Sequence, residues 1–271
     1  MHIAAIQMVS GPRLDDNLQA AADLLAQAAR QGAELALLPE YFCCMGRRDT
    51  DKLSIQERFG GGLIQDFLAV QARTLGIWIV GGTLPLASAQ PDKVYNSSLV
   101  LDPQGQCVAR YDKIHLFRFD NGREAYDESR VLLPGTQPVL FELPSRDGHR
   151  WRVGLSVCYD LRFAELYRAY AAQGADLLLA PSAFTYTTGQ AHWELLLRTR
   201  AVENLCGVVA AAQGGIHENG RHTWGHSMVV DAWGTVLAQQ AQEAGVVLAE
   251  IDAQRLAALR TQLPALQHRV V

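Results

Sequence analysis

The sequence predicts an α/β fold, a four-layer α-β-β-α sandwich with an internal pseudo-twofold duplication, and two observations carry that prediction. A buried-strand segment closed by proline occurs twice, as Gly32-Ala33-Glu34-Leu35-Ala36-Leu37-Leu38-Pro39 and as Gly174-Ala175-Asp176-Leu177-Leu178-Leu179-Ala180-Pro181. Each copy follows a stretch with helical spacing. Two sheets that each carry helices on one side bury their remaining apolar faces most naturally against each other.

The elements follow in order. His2 to Met8 reads as the first strand and corresponds to Arg152 to Cys158. The first helix, near Asp15 to Gln31, places Leu18, Ala21, Ala22, Leu25 and Ala29 along one face; the second runs near Ala164 to Gln173. Gly32 and Gly174 close these helices as C-terminal caps, and Pro39 and Pro181 end the strands because proline cannot donate to a sheet ladder. Gly76-Ile77-Trp78-Ile79-Val80 then matches Gly207-Val208-Val209-Ala210-Ala211. Finally, Ser98-Leu99-Val100-Leu101-Asp102-Pro103-Gln104-Gly105 matches Ser227-Met228-Val229-Val230-Asp231-Ala232-Trp233-Gly234, each a hairpin with glycine in its turn.

With 271 residues, 49% hydrophobic and 19% charged, the chain can bury a sizeable core. No Pro/Gly/Ser linker or composition break separates the halves, so a single domain over 1–271 is expected. A net charge of -4 gives no basic footprint for nucleic acid. The apolar runs, such as Val208 to Ala212, fall short of the roughly 20 residues that cross a bilayer, and Met1-His2-Ile3-Ala4 leads into a strand without a secretory signal pattern. Five cysteines without Cys-x-x-Cys spacing argue against a disulfide framework or zinc ribbon. The expectations are a cytoplasmic protein, no membrane, no nucleic acid and a small-molecule partner.

Positions that break the duplication are where chemistry was added to one half only. After Pro39 comes Glu40, whereas Ser182 follows Pro181; Cys158 has the bland counterpart Met8; and Tyr111-Asp112-Lys113-Ile114-His115-Leu116-Phe117 has no equivalent after the second hairpin. All three lie at or just beyond strand ends, where loops of an α/β sheet converge. Taken singly, Cys158 reads as a buried small hydrophobe, Glu40 as a helix-start charge and Lys113 as a solvated cation. Together they supply a thiol nucleophile, a base and a cation.

These residues, in this order, resemble the nitrilase superfamily of carbon–nitrogen hydrolases. Leu37-Leu38-Pro39-Glu40, Tyr111-Asp112-Lys113-Ile114-His115-Leu116 and Gly154-Leu155-Ser156-Val157-Cys158-Tyr159-Asp160-Leu161-Arg162-Phe163 look like its glutamate, lysine and cysteine motifs. The resemblance implies the same four-layer sandwich, pairing into a homodimer or higher homo-oligomer, and Glu40, Lys113 and Cys158 as catalytic residues. It also implies that Glu128, rather than the neighbouring Glu124 or Asp127, is a second active-site glutamate beside the lysine. Pro181-Ser182-Ala183-Phe184 through Thr188-Gly189-Gln190-Ala191-His192-Trp193-Glu194 is similar to the deaminated-glutathione amidase and ω-amidase branch. Where that branch has proline after Arg-Phe, this chain has Ala164.

The implied reaction is hydrolysis of a linear amide of an α-keto acid through a Cys158 thioester, with the Tyr159 N–H and Lys113 on the oxyanion and no metal or organic cofactor. The implied substrate is deaminated glutathione, or α-ketoglutaramate in the ω-amidase alternative, held by Arg162, Phe184 and Thr188. A guanidinium fork suits a carboxylate, although Arg162 could equally form a structural salt bridge with Asp160 or Glu165. An acyltransferase would pass the thioester to another acceptor, and a non-catalytic binding protein would release no product. Outside this set, Cys43-Cys44 reads as active-site wall, His217, His222 and His226 as a mobile surface hairpin, and Phe59-Gly60-Gly61-Gly62 as a turn before a helix.

Overall fold

The computed structural model describes residues 1–270; Val271, the last residue of the expected 1–271 domain, lies outside the described residues. Two sheets form its centre, and the two halves build them in the same way. In the first, His2–Gln7, Leu35–Leu37 and Trp78–Val80 run parallel, with Ile3 beside Leu35 and Leu35 beside Trp78. In the second, Arg150–Leu155, Leu177–Leu179 and Gly207–Ala210 do the same, with Val153 beside Leu177 and Leu177 beside Gly207. Each core then continues antiparallel into a hairpin, Val94–Leu101 with Cys107–Asp112 and Ser227–Val230 with Val236–Gln240. The expected correspondence therefore holds strand by strand.

Side-chain alternation turns the sheets into layers. Ile3, Ala5, Leu35, Leu37, Val80 and Val100 share one apolar cluster with Val153, Leu155, Val209 and Met228 of the other sheet. The intervening Ala4, Ile6, Ala36, Ile79 and Leu101 pack instead with Leu18, Ala21, Leu25 and Ala28 of helix Leu14–Arg30 and with Ile64, Leu68 and Ala72 of helix Leu63–Leu75. On the far side, helices Ala164–Ala172 and Tyr186–Asn204 cover the second sheet. Gly32 and Gly174 follow their helices at positive φ, 94° and 77°, as helix-ending glycines do.

Two features escape the sequence pattern. Each half lends a strand to the other's sheet: Leu140–Pro144 pairs antiparallel with Arg150–Leu155, and Gly245–Glu250 pairs antiparallel with His2–Gln7. No local periodicity tells Gly245–Glu250 that its partner lies at the other end of the chain. The 19-residue helix Tyr186–Asn204 also stands where the sequence offers no clean amphipathic stripe. It starts at Thr185, whose hydroxyl accepts from the Thr188 N–H, and its buried face mixes Thr188, Gly189 and Arg200 with Trp193 and Leu197.

Candidate active site

The three breaks in the duplication meet in space. Glu40 follows the strand Leu35–Leu37, its carbonyl held by Gln213 Nε2 at 3.1 Å. Its approach depends on Gly82, where a Cβ would lie 2.1 Å from the Pro39 carbonyl oxygen. Lys113 follows directly on the strand Cys107–Asp112, with its N–H donating to Asn96 O at 3.0 Å and its carbonyl accepting from Gly135 N at 2.8 Å. Cys158 stands beyond Arg150–Leu155, after two extended residues, and opens a 3₁₀ turn over Cys158–Arg162. Its φ of 50° is left-handed, a strained conformation for a residue with a side chain. The counterpart of the glutamate loop stitches these pieces together: Cys158 N donates to Pro181 O at 2.9 Å, and Ala183 N donates to Glu40 Oε2 at 3.0 Å.

At the centre is the Lys113 ammonium, fully buried, 2.9 Å from Glu40 Oε1 and 2.8 Å from Glu128 Oε2. Glu40 Oε1 also accepts from Asn96 Nδ2 at 2.9 Å. Glu128, whose side chain is 15% exposed, accepts from Tyr41 OH at 2.8 Å and Phe117 N at 2.7 Å. The structure thus puts Glu128, not Glu124 or Asp127, against the lysine.

Charge follows from this packing. Burial alone would lower the Lys113 ammonium, but Glu128 and Glu40 outweigh it and hold it well above the ordinary lysine range. Burial would likewise raise Glu128, yet Lys113 and the donors from Phe117 and Tyr41 keep it below the usual carboxylate value. For Glu40 burial wins over the pull of Lys113, with Glu128 adding repulsion, so its carboxyl is raised. Burial and the nearby Glu40 charge push the Cys158 thiol well above its ordinary range. At rest the site therefore holds a neutral thiol beside Glu40, which is the more basic of the two carboxylates.

A pocket with an empty volume of about 360 Å³ opens onto Cys158. Tyr159, Arg162, Phe184 and Thr188 all line it, as the sequence suggests. Arg162 makes no ion pair with Asp160 or Glu165 among the described residues; its guanidinium lies 5.7 Å from the Phe184 ring centre and 3.3 Å from His192 Nδ1. Asp160 has a different task. Fully buried, it accepts from Val157 N at 2.8 Å, Tyr111 OH at 2.7 Å and His115 N at 3.0 Å, with His115 Nδ1 at 2.7 Å, so it ties the cysteine turn to the lysine segment.

Sequence reasoning missed Asn96, Tyr41, Phe117, Asp160 and Arg221 at this site. Asn96, a polar residue inside the apolar strand Val94–Leu101, was the most readable of them, because a buried amide needs partners. Two readings are corrected. Cys43 and Cys44 do not wall the Cys158 pocket; they pack in the helix-side core with Phe42 and Ile64. The His217 region is the expected hairpin, Gly214–Ile216 with His222–Trp224, but it does not lie wholly at the surface. His217 itself is buried, its Nδ1 2.8 Å from Ser10 O and its Nε2 2.7 Å from Thr223 Oγ1.

Known proteins resemble this chain in sequence and in fold. The Carbon-nitrogen hydrolase family profile matches residues 2–261. The chain is 43% identical to a deaminated glutathione amidase of Synechocystis over 98% of this chain and 97% of that one. It is 39% identical to the human Omega-amidase NIT2 over 98% and 94%. Among solved structures, the C. elegans NitFhit protein superposes with a TM-score of 0.90 at 38% identity, covering 99% of this chain, which spans only 65% of that longer protein. The chain belongs to the carbon–nitrogen hydrolase family of the nitrilase superfamily, and is a hydrolase of carbon–nitrogen bonds other than peptide bonds.

Proposed function

We propose that this chain hydrolyses the amide of deaminated glutathione, releasing α-ketoglutarate and Cys-Gly, through a thioester on Cys158. The observation that carries the chemistry is the buried Lys113 ammonium clamped between Glu40 and Glu128 beside a thiol. Glu40, the more basic carboxylate, takes the thiol proton as sulfur attacks the carbonyl carbon. The resulting oxyanion is stabilised by the Lys113 ammonium and the Tyr159 N–H. Glu40 passes its proton to the departing amine, then activates water, whose oxygen displaces Cys158 and frees the acid. Glu128 keeps Lys113 charged and in place. Arg162, without a carboxylate partner among the described residues, binds the α-keto acid carboxylate, with Phe184 and Thr188 beside it. The similarity to deaminated glutathione amidase supports this substrate.

The test is α-ketoglutarate release from deaminated glutathione and from α-ketoglutaramate, for the unmodified protein and for Cys158→Ala. Release from deaminated glutathione that vanishes in the variant is the expected result. Preference for α-ketoglutaramate would move the substrate to the ω-amidase alternative, and activity surviving in Cys158→Ala would sink the mechanism.

Two accompanying proposals concern setting. Five free cysteines, Cys43 and Cys44 among them, fit a reducing cytoplasm, and no helix among the described residues is long and apolar enough to cross a membrane. The exposed strip of Leu195, Val202 and Trp233 supports pairing into a homo-oligomer.

A further inference from the structure

The Cys158 pocket adjoins a second one. The second, with an empty volume of about 370 Å³, shares Tyr41, Phe117, Glu128 and Arg221 with the first, and adds Lys52 and Tyr126. Arg162 lines the first only, whereas Arg221 lines both. Arg221 therefore stands where the two adjoin, with Arg162 on the Cys158 side alone.

Arg221 is held rather than loose. Its N–H donates to Asn219 Oδ1 at 2.9 Å, while Asn219 Nδ2 donates to Gly46 O at 2.6 Å, which fixes the hairpin against the loop after Glu40. The guanidinium lies 5.4 Å from the Tyr126 ring centre and forms no ion pair among the described residues. The acids around it are already engaged: Glu128 with Lys113, Asp127 with Ser129, and Asp49 with Lys52 at 3.9 Å. Neighbouring Glu218 is taken by Arg47 at 2.7 Å. A half-buried, unpaired guanidinium in a pocket wall is an anion receptor without its anion.

We infer that Arg221 recognises a carboxylate on the leaving amine, and so selects amides whose amine half is itself an acid, such as a dipeptide, over those that release ammonia. This rests on the reading of the site given above. The acyl half lies by Arg162 with its carbonyl at Cys158, so the amine half departs toward the pocket that Arg221 and Lys52 line. Ammonia from α-ketoglutaramate has no group for that arginine. The glycine carboxylate of deaminated glutathione does.

The experiment compares kcat/KM for deaminated glutathione and for the same compound with its glycine carboxylate amidated, in the unmodified protein, Arg221→Gln and Arg221→Lys. In the unmodified protein amidation should cost about ten- to a hundredfold, the range of a hydrogen bond to a charged group. Arg221→Gln should lose a similar factor on the free acid and stop distinguishing acid from amide, while Arg221→Lys recovers part of the distinction. Equal turnover of acid and amide by the unmodified protein overturns the inference without relying on any variant to fold. Undiminished discrimination in Arg221→Gln overturns it too, leaving the amidase reading intact. No release from deaminated glutathione by the unmodified protein sinks that reading, and the role of Arg221 with it.

Discussion

The two halves of this molecule share strands, helices and turns but not chemistry. Glu40 and Ser182 each follow a proline that closes the second parallel strand of a sheet. Met8 and Cys158 each follow the first. On one side of this comparison the polar residue meets a lysine and a second carboxylate; on the other, Ser182 turns its hydroxyl back to Ala180 O at 3.1 Å. The half with Ser182 carries Cys158 instead, and its backbone supports both Cys158 and Glu40. Pro181 O fixes the cysteine turn and Ala183 N holds Glu40, so the loop after Leu177–Leu179 supplies backbone that aligns the nucleophile of its own half with the base of the other. Duplication thus divides one site between the copies, with base and cation on the first and the strained nucleophile on the second.

The sharpest way to break this comparison is to remove the one cation that makes the first half different. Lys113→Met keeps the volume but leaves Glu40 and Glu128 buried without a counter-charge, which should cost about 3–5 kcal/mol of stability. It should also lower kcat by about 10² to 10³, the loss expected for an oxyanion donor. Denaturant midpoints and turnover on one preparation check both. Full stability would mean that the carboxylates take up protons at no cost, so that the clamp is not what organises the site.

Much of this was legible before any coordinates. The paired strand segments, the caps Gly32 and Gly174 and the triad at strand ends follow from local rules that act on a few adjacent residues. What was hidden depends on partners far along the chain. The strand Gly245–Glu250 looks like any other until its partner at the other end of the chain, His2–Gln7, is known. Asp160 reads as part of the cysteine motif, and only the fold shows it gripping Tyr111 and His115. Arg221 sits in a glycine-rich hairpin whose sequence suggests mobility, whereas His217 and Asn219 pin it through contacts to Ser10 and Gly46. Cys43 and Cys44 show the opposite error, since adjacency to Glu40 in sequence placed them at a site their side chains face away from.

A smaller effect tests how the two carboxylates of the first half differ in proton affinity. Glu40 must be ionised to accept the thiol proton, and burial raises its carboxyl, whereas Glu128 is held low. Activity should therefore fall as pH drops through a value above the ordinary glutamate value of about 4.3, and that acid limb in kcat/KM belongs to Glu40. Asn96→Ala removes a donor to the charged carboxylate, so the limb should move to still higher pH. A limb that stays put would show that Asn96 positions Glu40 without tuning it.

The smallest effects lie where the halves agree. In the first hairpin turn Asp102 Oδ1 accepts from Gln104 N at 2.9 Å and Gln106 N at 2.8 Å; in the second, Asp231 Oδ1 accepts from Trp233 N at 3.0 Å and Thr235 N at 2.8 Å. Gly105 and Gly234 take φ of 78° and 84° in the same place. Identical turn chemistry should give similar losses, about 0.5–1.5 kcal/mol, for Asp102→Ala and for the turn portion of Asp231→Ala. Asp231 has one further partner, since its other oxygen sits 2.9 Å from the Arg255 guanidinium, an ion pair without hydrogen-bond alignment. Asp231→Ala should therefore cost slightly more than Asp102→Ala in urea unfolding. Measured in an Arg255→Ala background, the two losses should converge. If the excess persists without Arg255, the ion pair contributes nothing and the turns are less alike than their hydrogen bonds suggest.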